Sequence, residues 1–180
     1  FGKGEWAVLE ADESDGSFLK LPINYSVVTN LDNEHLDYYK NYKNLEKAFI
    51  KFINKTPPIG KTMLCVDSSY LRKIIGKINT KNYLTYGFRS EANYQIININ
   101  YKLGKTSFAL KVKSSGKKKI IIKNILLNLI GKHNVLNATA SIAICLNLGV
   151  DINIIKRALK NFSGVQRRLT KIFTKNQREF

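Results

Sequence analysis

Residues 61–88 read KTMLCVDSSYLRKIIGKINTKNYLTYGF, and this stretch decides the fold. It opens with a short apolar run, Lys61–Val66, which predicts a buried strand. Asp67-Ser68-Ser69 has the chemistry of a helix cap, and the apolar residues after it recur at helical spacing. A second apolar run, Tyr83–Phe88, predicts the next strand. A strand, a helix and a strand in succession form a βαβ unit, which favours a parallel sheet.

The same alternation extends towards the N-terminus. Tyr25–Asn30 is a β-branched run that ends in polar residues, and Trp6–Glu10 is an apolar run that ends in an acid. Both patterns predict buried parallel strands. Between Tyr25–Asn30 and Lys61–Val66, the stretch Leu45–Ile53 has apolar residues near helical spacing and is stopped by Thr56-Pro57-Pro58.

A different pattern begins near Glu91. Tyr94–Tyr101, Ser107–Lys113 and Lys118–Lys123 predict three strands that are separated by short hairpin-like connections. An antiparallel meander is therefore expected after the parallel sheet. The sequence predicts an α/β fold, in which a mostly parallel sheet is flanked by helices and carries this appended meander.

Two helices are predicted to close the fold. The first follows Gly131 and runs through the small residues Ala138–Ala143 to Leu148, with Gly149 as its C-cap. The second, Ile152–Phe162, is capped by Asp151. Its periodicity predicts that four apolar side chains face inward: Ile154, Ile155, Ala158 and Leu159.

The net charge is +17, from 30 basic and 13 acidic residues, and it is unevenly distributed. Residues 1–37 hold eight acids and two lysines, or −6, whereas the remaining residues carry +23. A basic module that binds nucleic acid is one interpretation of this balance, although no basic helix or nucleic-acid motif accompanies it. A compositional bias towards lysine is the other, and salt-sensitive oligonucleotide binding would separate them.

Cysteine usage and hydropathy predict a protein of a reducing compartment without a membrane-spanning helix. Cys65 and Cys145 are 80 residues apart, without a CxxC motif, and are predicted to be buried free thiols of a reducing compartment. The longest apolar stretch, Ile120–Ile130, is interrupted by Lys123 and Asn124, so no membrane helix is predicted. We expect a cytoplasmic protein, of which this chain is an internal piece.

Two acidic loops follow two of the predicted strands. Residues 10–17 read EADESDGS and residues 29–37 read TNLDNEHLD. Ligands of open α/β sheets bind at the carboxyl ends of the strands, and oxygen ligands with one imidazole suit Mg²⁺ or Mn²⁺. A solvated, self-capping turn is the alternative interpretation, and His35 alone could be an ion-paired surface residue.

Four blocks of this sequence together resemble the Mur ligases, and they occur in the order that this family has. The blocks are EADESDGSFL at 10–19, Val28-Thr29-Asn30 with His35-Leu36-Asp37, GKHNVLNA at 131–138 and GVQRR at 164–168. The resemblance implies that residues 1–162 are most of a central ATP-binding domain related to P-loop NTPases. Residues 163–180 would be a linker and the start of the C-terminal domain.

The resemblance also implies a reaction. ATP would phosphorylate the carboxylate of UDP-N-acetylmuramate, and the amine of L-alanine would attack the acyl phosphate to form an amide, in peptidoglycan precursor synthesis. Another ligase of the same type, acting on a different amino acid or peptide, remains the alternative. No phosphate-binding G-x-x-x-x-G-K-[ST] loop is present, so we expect it upstream of residue 1 and expect this chain alone to be inactive.

Site residues follow from matching the blocks position by position. Glu10 and His35 would serve the Mg²⁺ that meets the phosphates. Asp12, Glu13 and Asp15 belong to the same block without an assigned role.

The later blocks imply the nucleotide site. Asn134 and Asn137, beside His133, would hold the adenine, and Arg168 would reach the nucleotide from the junction with the next domain. The alternative for the asparagines is a helix-capping role, and for Arg168 with Arg167 a solvated pair. The implied cofactors are ATP and Mg²⁺, with no nucleic acid and no membrane insertion.

Overall fold

A six-stranded mixed sheet forms the centre of the protein in a computed structural model. The structure describes residues 3–113 and 119–165, together with the backbone of 174–175 and 178–179. The strands of the sheet are β1 (Ser26–Val28), β2 (Thr62–Cys65), β3 (Tyr83–Gly87), β4 (Tyr94–Lys102), β5 (Lys105–Lys113) and β6 (Lys119–Leu127). Two further short strands, β7 (Thr174–Lys175) and β8 (Arg178–Glu179), pair with each other.

The helices lie between and after these strands. A 3₁₀ turn at Ser17–Lys20 is followed by α1 (Leu36–Tyr39), α2 (Tyr42–Asn54), α3 (Ser69–Ile75), α4 (Lys132–Asn147) and α5 (Ile152–Asn161). The predicted caps are present. Ser68 accepts a hydrogen bond from the Leu71 amide, and Asp151 accepts one from the Asn153 amide. Gly149 follows α4 with φ of 78°, the left-handed conformation that ends helices.

Strand order in the sheet follows the chain, β1 to β6. The first four strands are mutually parallel, and β4, β5 and β6 pair antiparallel. The predicted fold class, a mostly parallel sheet with an antiparallel meander, is therefore confirmed. The register pairs Tyr94 with Tyr86 and Gln95 with Gly87, so β4 begins where β3 ends. The meander consequently projects past the carboxyl edge of the parallel strands.

Two hydrophobic clusters share helix α4. One covers the parallel strands and includes Ala140 and Ala143, while the other covers the meander and includes Val135, Ala138 and Ile142. These small side chains let the helix approach both halves of the sheet closely. Helix α4 therefore joins the parallel half of the fold to the antiparallel half.

Three sequence predictions are wrong in detail. Residues 6–10 form no strand, and Val8 is 96% exposed. An apolar run becomes a strand only where a neighbouring strand accepts and donates its backbone hydrogen bonds. Helix α5 turns Ile155 inward but leaves Ile154 and Ala158 exposed, since its buried row follows 152, 155 and 159. Cys65 is buried as predicted, whereas Cys145 is half-buried, and both thiols are free.

Candidate functional site

Two adjacent cavities lie along the carboxyl edge of β1, β2 and β3. The first, of about 190 Å³, is bounded by the two acidic loops and includes Glu13, Asp32, Glu34 and His35. The second, of about 390 Å³, lies between the sheet edge and the start of α4. Its lining comprises Thr29, Asn30, Cys65, Asp67, Ser68, Tyr86, His133, Leu136 and Asn137. Thr29 and Asn30 line both cavities.

The acidic loop at residues 10–17 is held by its own side chains. The Asp12 carboxylate accepts a hydrogen bond of 2.8 Å from the Ser14 amide, and Asp15 accepts one of the same length from Ser17. These hydrogen bonds hold the pKa of both aspartates below the ordinary value. Asp12 and Asp15 thus shape the turn, as the self-capping interpretation proposed, while Glu13 remains available to face the first cavity.

His35 lies at the start of α1 in a strained backbone conformation. Its φ of 56° is left-handed, which is uncommon outside glycine and is found in functional sites. Its Nε2 atom is 3.5 Å from Glu13 Oε1 and 4.0 Å from Glu34 Oε2. The structure therefore brings Glu13 and His35, from the two different acidic loops, together at one wall of the first cavity.

Glu10 is exposed at the end of the extended segment that precedes the acidic loop. Within residues 3–113 and 119–165, it is absent from the ion pairs and side-chain hydrogen bonds. In the same part of the chain, no group of three or more histidine, cysteine, aspartate or glutamate side chains could hold a metal ion.

Tyr39 joins the two acidic loops, a role that no sequence motif indicates. Its buried hydroxyl donates a hydrogen bond of 2.5 Å to the backbone carbonyl of Glu13. Burial raises the pKa of Tyr39 to about 12, so the phenol remains protonated and able to donate. This contact fixes the first loop against the helix that begins at His35.

Of the two asparagines predicted to bind adenine, only Asn137 lines the helix side of the second cavity. Asn137 is exposed and lines the cavity with His133. Asn134 lies outside the lining, and its side-chain amide donates a hydrogen bond of 2.7 Å to the Ile130 carbonyl. The predicted nucleotide-binding Arg168, and its neighbour Arg167, lie outside the described residues.

The sheet side of the second cavity contains residues that the sequence did not single out for binding. Asp67 Oδ2 accepts a hydrogen bond of 2.8 Å from the Phe88 amide, which ties the segment after β2 to the end of β3. Gly87 has φ of 152°, and a Cβ there would lie 2.8 Å from Asp67 Oδ2. Only glycine permits so close an approach. Asp67 therefore determines the shape of this wall.

An open, mainly parallel α/β sheet with acidic loops and a helix N-terminus at its carboxyl edge has the architecture of nucleotide-binding α/β domains. Family comparison defines the class further. Residues 2–145 match the family model described as the Mur ligase middle domain. The chain belongs to this family, which confirms the resemblance recognised in its sequence.

Related proteins agree with this assignment. The chain is 46% identical over 179 residues to the UDP-N-acetylmuramate–L-alanine ligase of Pelagibacter ubique, covering 99% of this chain and 39% of that protein. It is 43% identical over 171 residues to the enzyme of the same name from Bartonella tribocorum, covering 94% of this chain and 36% of that protein. The chain thus spans less than half the length of these relatives.

A solved structure shares the fold. The UDP-N-acetylmuramate–alanine ligase of Thermotoga maritima superposes with a TM-score of 0.71 at 26% identity. The superposition covers 92% of this chain and 35% of that one. Among the residues that the structure describes, no helix is both long and apolar enough to cross a membrane.

Proposed function

We propose that this chain is the ATP-binding middle part of a ligase that joins L-alanine to UDP-N-acetylmuramate in peptidoglycan precursor synthesis. The reaction passes through an acyl phosphate and releases ADP and phosphate. The observation that carries the proposal is the 46% identity, across nearly the whole chain, to a relative with this activity in its name. The two adjacent cavities support it, because the transferred phosphoryl group must lie between the nucleotide and the acceptor.

In this proposal the first cavity holds the metal. His35 lines this cavity and offers an imidazole, and Glu10, which is exposed one residue before the lining residue Ala11, would offer a carboxylate. Mg²⁺ usually takes one or two protein carboxylates with phosphates and waters as its other ligands. When bound, Mg²⁺ neutralises the charge that phosphoryl transfer develops on the oxygens.

The second cavity holds the nucleotide. Asn137 and His133 line it, and an asparagine amide can both donate to and accept from the edge of adenine. Asn134 supports the same helix turn through its hydrogen bond to the Ile130 carbonyl. The contact of Arg168 with the nucleotide stays a prediction from the sequence, since this residue lies outside the described part of the chain. Closing of the next domain over this edge would exclude water from the reacting groups.

The domain organisation of the proposal follows the sequence prediction. Residues 1–162 belong to the ATP-binding domain, and residues 163–180 form a linker and the start of the next one. The reaction is assigned to the cytoplasm, where ATP is available. A Mur-type ligase for another amino acid or peptide is the alternative, because the relatives extend well beyond this chain.

The test uses the complete gene product that carries this sequence. Glu10→Ala and His35→Ala should each lower ADP release that depends on UDP-N-acetylmuramate and L-alanine by more than about 100-fold, since even outer partners of metal ligands contribute about 10- to 100-fold. Glu91→Ala is the matched control. Glu91 is an exposed carboxylate that pairs with Arg89 and lines neither cavity, so its removal should leave turnover unchanged.

Two results would contradict the proposal. Near-full turnover of both Glu10→Ala and His35→Ala would refute the metal role of these residues. Turnover of the unmodified protein with other amino acids or peptides, but not with L-alanine, would favour the alternative ligase.

A further inference from the structure

The hydroxyl group of Tyr86 is buried without a strong hydrogen-bond partner among the described residues. Tyr86, on β3, is 0% exposed, and within the described part of the chain its hydroxyl oxygen forms no hydrogen bond of ordinary geometry. The Cys65 thiol, a weak hydrogen-bonding group, lies beside it. Nearly all buried polar groups in proteins are hydrogen-bonded, and leaving one unpaired costs about 1–3 kcal/mol. Burial also raises the pKa of Tyr86, so the phenol is neutral and can both donate and accept. The missing partner requires an explanation.

The position of Tyr86 indicates where that partner belongs. Tyr86 lines the second cavity from the sheet side, next to its register partner Cys65 on β2. His133 and Asn137 line the same cavity from α4. The cavity, at about 390 Å³, is much larger than the roughly 30 Å³ that one water occupies in the liquid. It has room for an aromatic heterocycle between the sheet edge and the helix.

We propose that the Tyr86 hydroxyl hydrogen-bonds to the base of the nucleotide in the second cavity. This inference rests on the proposed function, which places the nucleotide there. Ring nitrogens of a purine accept hydrogen bonds and its exocyclic amine donates one, so a neutral phenol can pair with either kind of group. Tyr86 would then recognise the base from the sheet while Asn137 recognises it from the helix.

This explanation predicts that removing the Tyr86 hydroxyl weakens nucleotide binding without lowering the stability of the ligand-free protein. Removing an unpaired buried hydroxyl leaves the ligand-free protein as stable as before, or more stable. Removing a hydroxyl that pairs with the ligand weakens binding. A hydroxyl already satisfied inside the protein, by the Cys65 thiol or by a buried water, would instead stabilise the ligand-free state.

Tyr42 supplies a matched control within the same molecule. Its hydroxyl is likewise buried and without a hydrogen-bond partner among the described residues. It belongs to α2, where its ring contacts Tyr70, and it lines neither cavity. The two tyrosines therefore share the unpaired hydroxyl and differ in access to the proposed nucleotide.

The experiment compares the unmodified complete gene product with Tyr86→Phe and Tyr42→Phe. Calorimetric titration gives the affinity for ADP, and thermal unfolding without nucleotide gives the stability. We expect Tyr86→Phe to weaken ADP binding about five- to tenfold, the effect of one neutral hydrogen bond, with a melting temperature equal to or above that of the unmodified protein. Tyr42→Phe should bind ADP normally.

Three results would overturn the inference while leaving the proposed function intact. The first is unchanged ADP affinity in Tyr86→Phe. The second is a lower melting temperature of ligand-free Tyr86→Phe, because the hydroxyl would then already have a partner. The third is equal weakening in Tyr42→Phe. If the unmodified protein fails to bind ADP, the proposed function itself is wrong and this inference falls with it.

Discussion

At the scale of single residues, the hydroxyl of Tyr39 connects the two acidic loops. It donates to the Glu13 carbonyl, and the Glu13 side chain in turn lies 3.5 Å from His35 Nε2. One phenol thereby holds together side chains that come from the two acidic loops. Neighbouring Tyr38 is 51% exposed and does not make this hydrogen bond.

Tyr39→Phe should therefore destabilise the domain by about 1 kcal/mol, the net contribution of a typical buried hydrogen bond. The complete gene product should also need a higher Mg²⁺ concentration for half-maximal turnover, because the first acidic loop would no longer be fixed against α1. Thermal unfolding and a Mg²⁺ titration of ADP release measure the two effects.

Tyr38→Phe is the control for this change, since it removes a hydroxyl from the adjacent and more exposed ring. Its unfolding and its Mg²⁺ dependence should match those of the unmodified protein. Equal behaviour of the two variants would show that the Tyr39 hydroxyl does not position the loop.

At the scale of secondary-structure elements, three buried hydroxyl groups join the starts of two strands to the end of a helix. Thr62 Oγ1 on β2 is 2.9 Å from Ser26 Oγ on β1 and 2.7 Å from Thr56 Oγ1, which follows α2. Ser26 and Thr56 are 3.3 Å apart. Thr62 makes the two shorter contacts and is 0% exposed.

Thr62→Val keeps the shape of the side chain but leaves two buried hydroxyls with only each other as partners. We expect a loss of about 2 kcal/mol in the free energy of unfolding, within the range for an incompletely satisfied buried group. Denaturant unfolding of the complete gene product gives this value for the transition of the domain.

Thr139→Val is the matched control, because Thr139 is also 0% exposed. Its hydroxyl donates only to the Val135 carbonyl within the same helix, an arrangement that adds little to helix stability. It should therefore change stability much less than Thr62→Val. Similar losses for both variants would contradict the role of the three-hydroxyl group.

Local chemistry was sufficient to predict most of the elements. Ser68 and Asp151 have the side chains of helix caps, and both cap helices in the structure. The segment at residues 6–10 shows the limit, because apolar composition allows a strand while a neighbouring edge is needed to form one. The buried row of α5 was misassigned for a similar reason, since the choice between Ile154 and Ile152 depends on how the helix lies against β6.

At the scale of the whole molecule, α4 connects two hydrophobic clusters, and its alanines set the spacing. Ala143 is 0% exposed in the cluster over the parallel strands, whereas Ser141, two residues earlier, is exposed. The same helix presents Val135 and Ile142 to the meander. A displacement of α4 would thus disturb both halves of the fold together.

Ala143→Leu should destabilise the domain by about 1–3 kcal/mol, because added methylene groups in a packed core force neighbours apart. Ser141→Leu adds a similar volume on the exposed face and should have little effect. Thermal unfolding of the complete gene product compares the two. An equal effect of both substitutions would mean that the spacing of α4 does not depend on small side chains.

The candidate site was only partly predictable from the sequence, because several of its contacts join segments that are far apart in the chain. The position of the second acidic loop after β1 was enough to predict that His35 lies at the carboxyl edge of the sheet, whereas the same argument for Glu10 relied on a strand that residues 6–10 do not form. The contacts of Tyr39 with Glu13 and of Asp67 with Phe88 join segments 26 and 21 residues apart. Such pairs depend on the packed arrangement of several elements, which no local pattern encodes.

The segment Thr29-Asn30 lines both cavities, so neither cavity can be reshaped there without the other. A ligand that moves this segment in one cavity changes the affinity of the other cavity for its own ligand. Thermodynamic linkage requires the reverse effect to have the same magnitude. If both cavities bind ligands, these two residues, which directly follow the shortest strand of the sheet, would couple the occupancy of one cavity to that of the other.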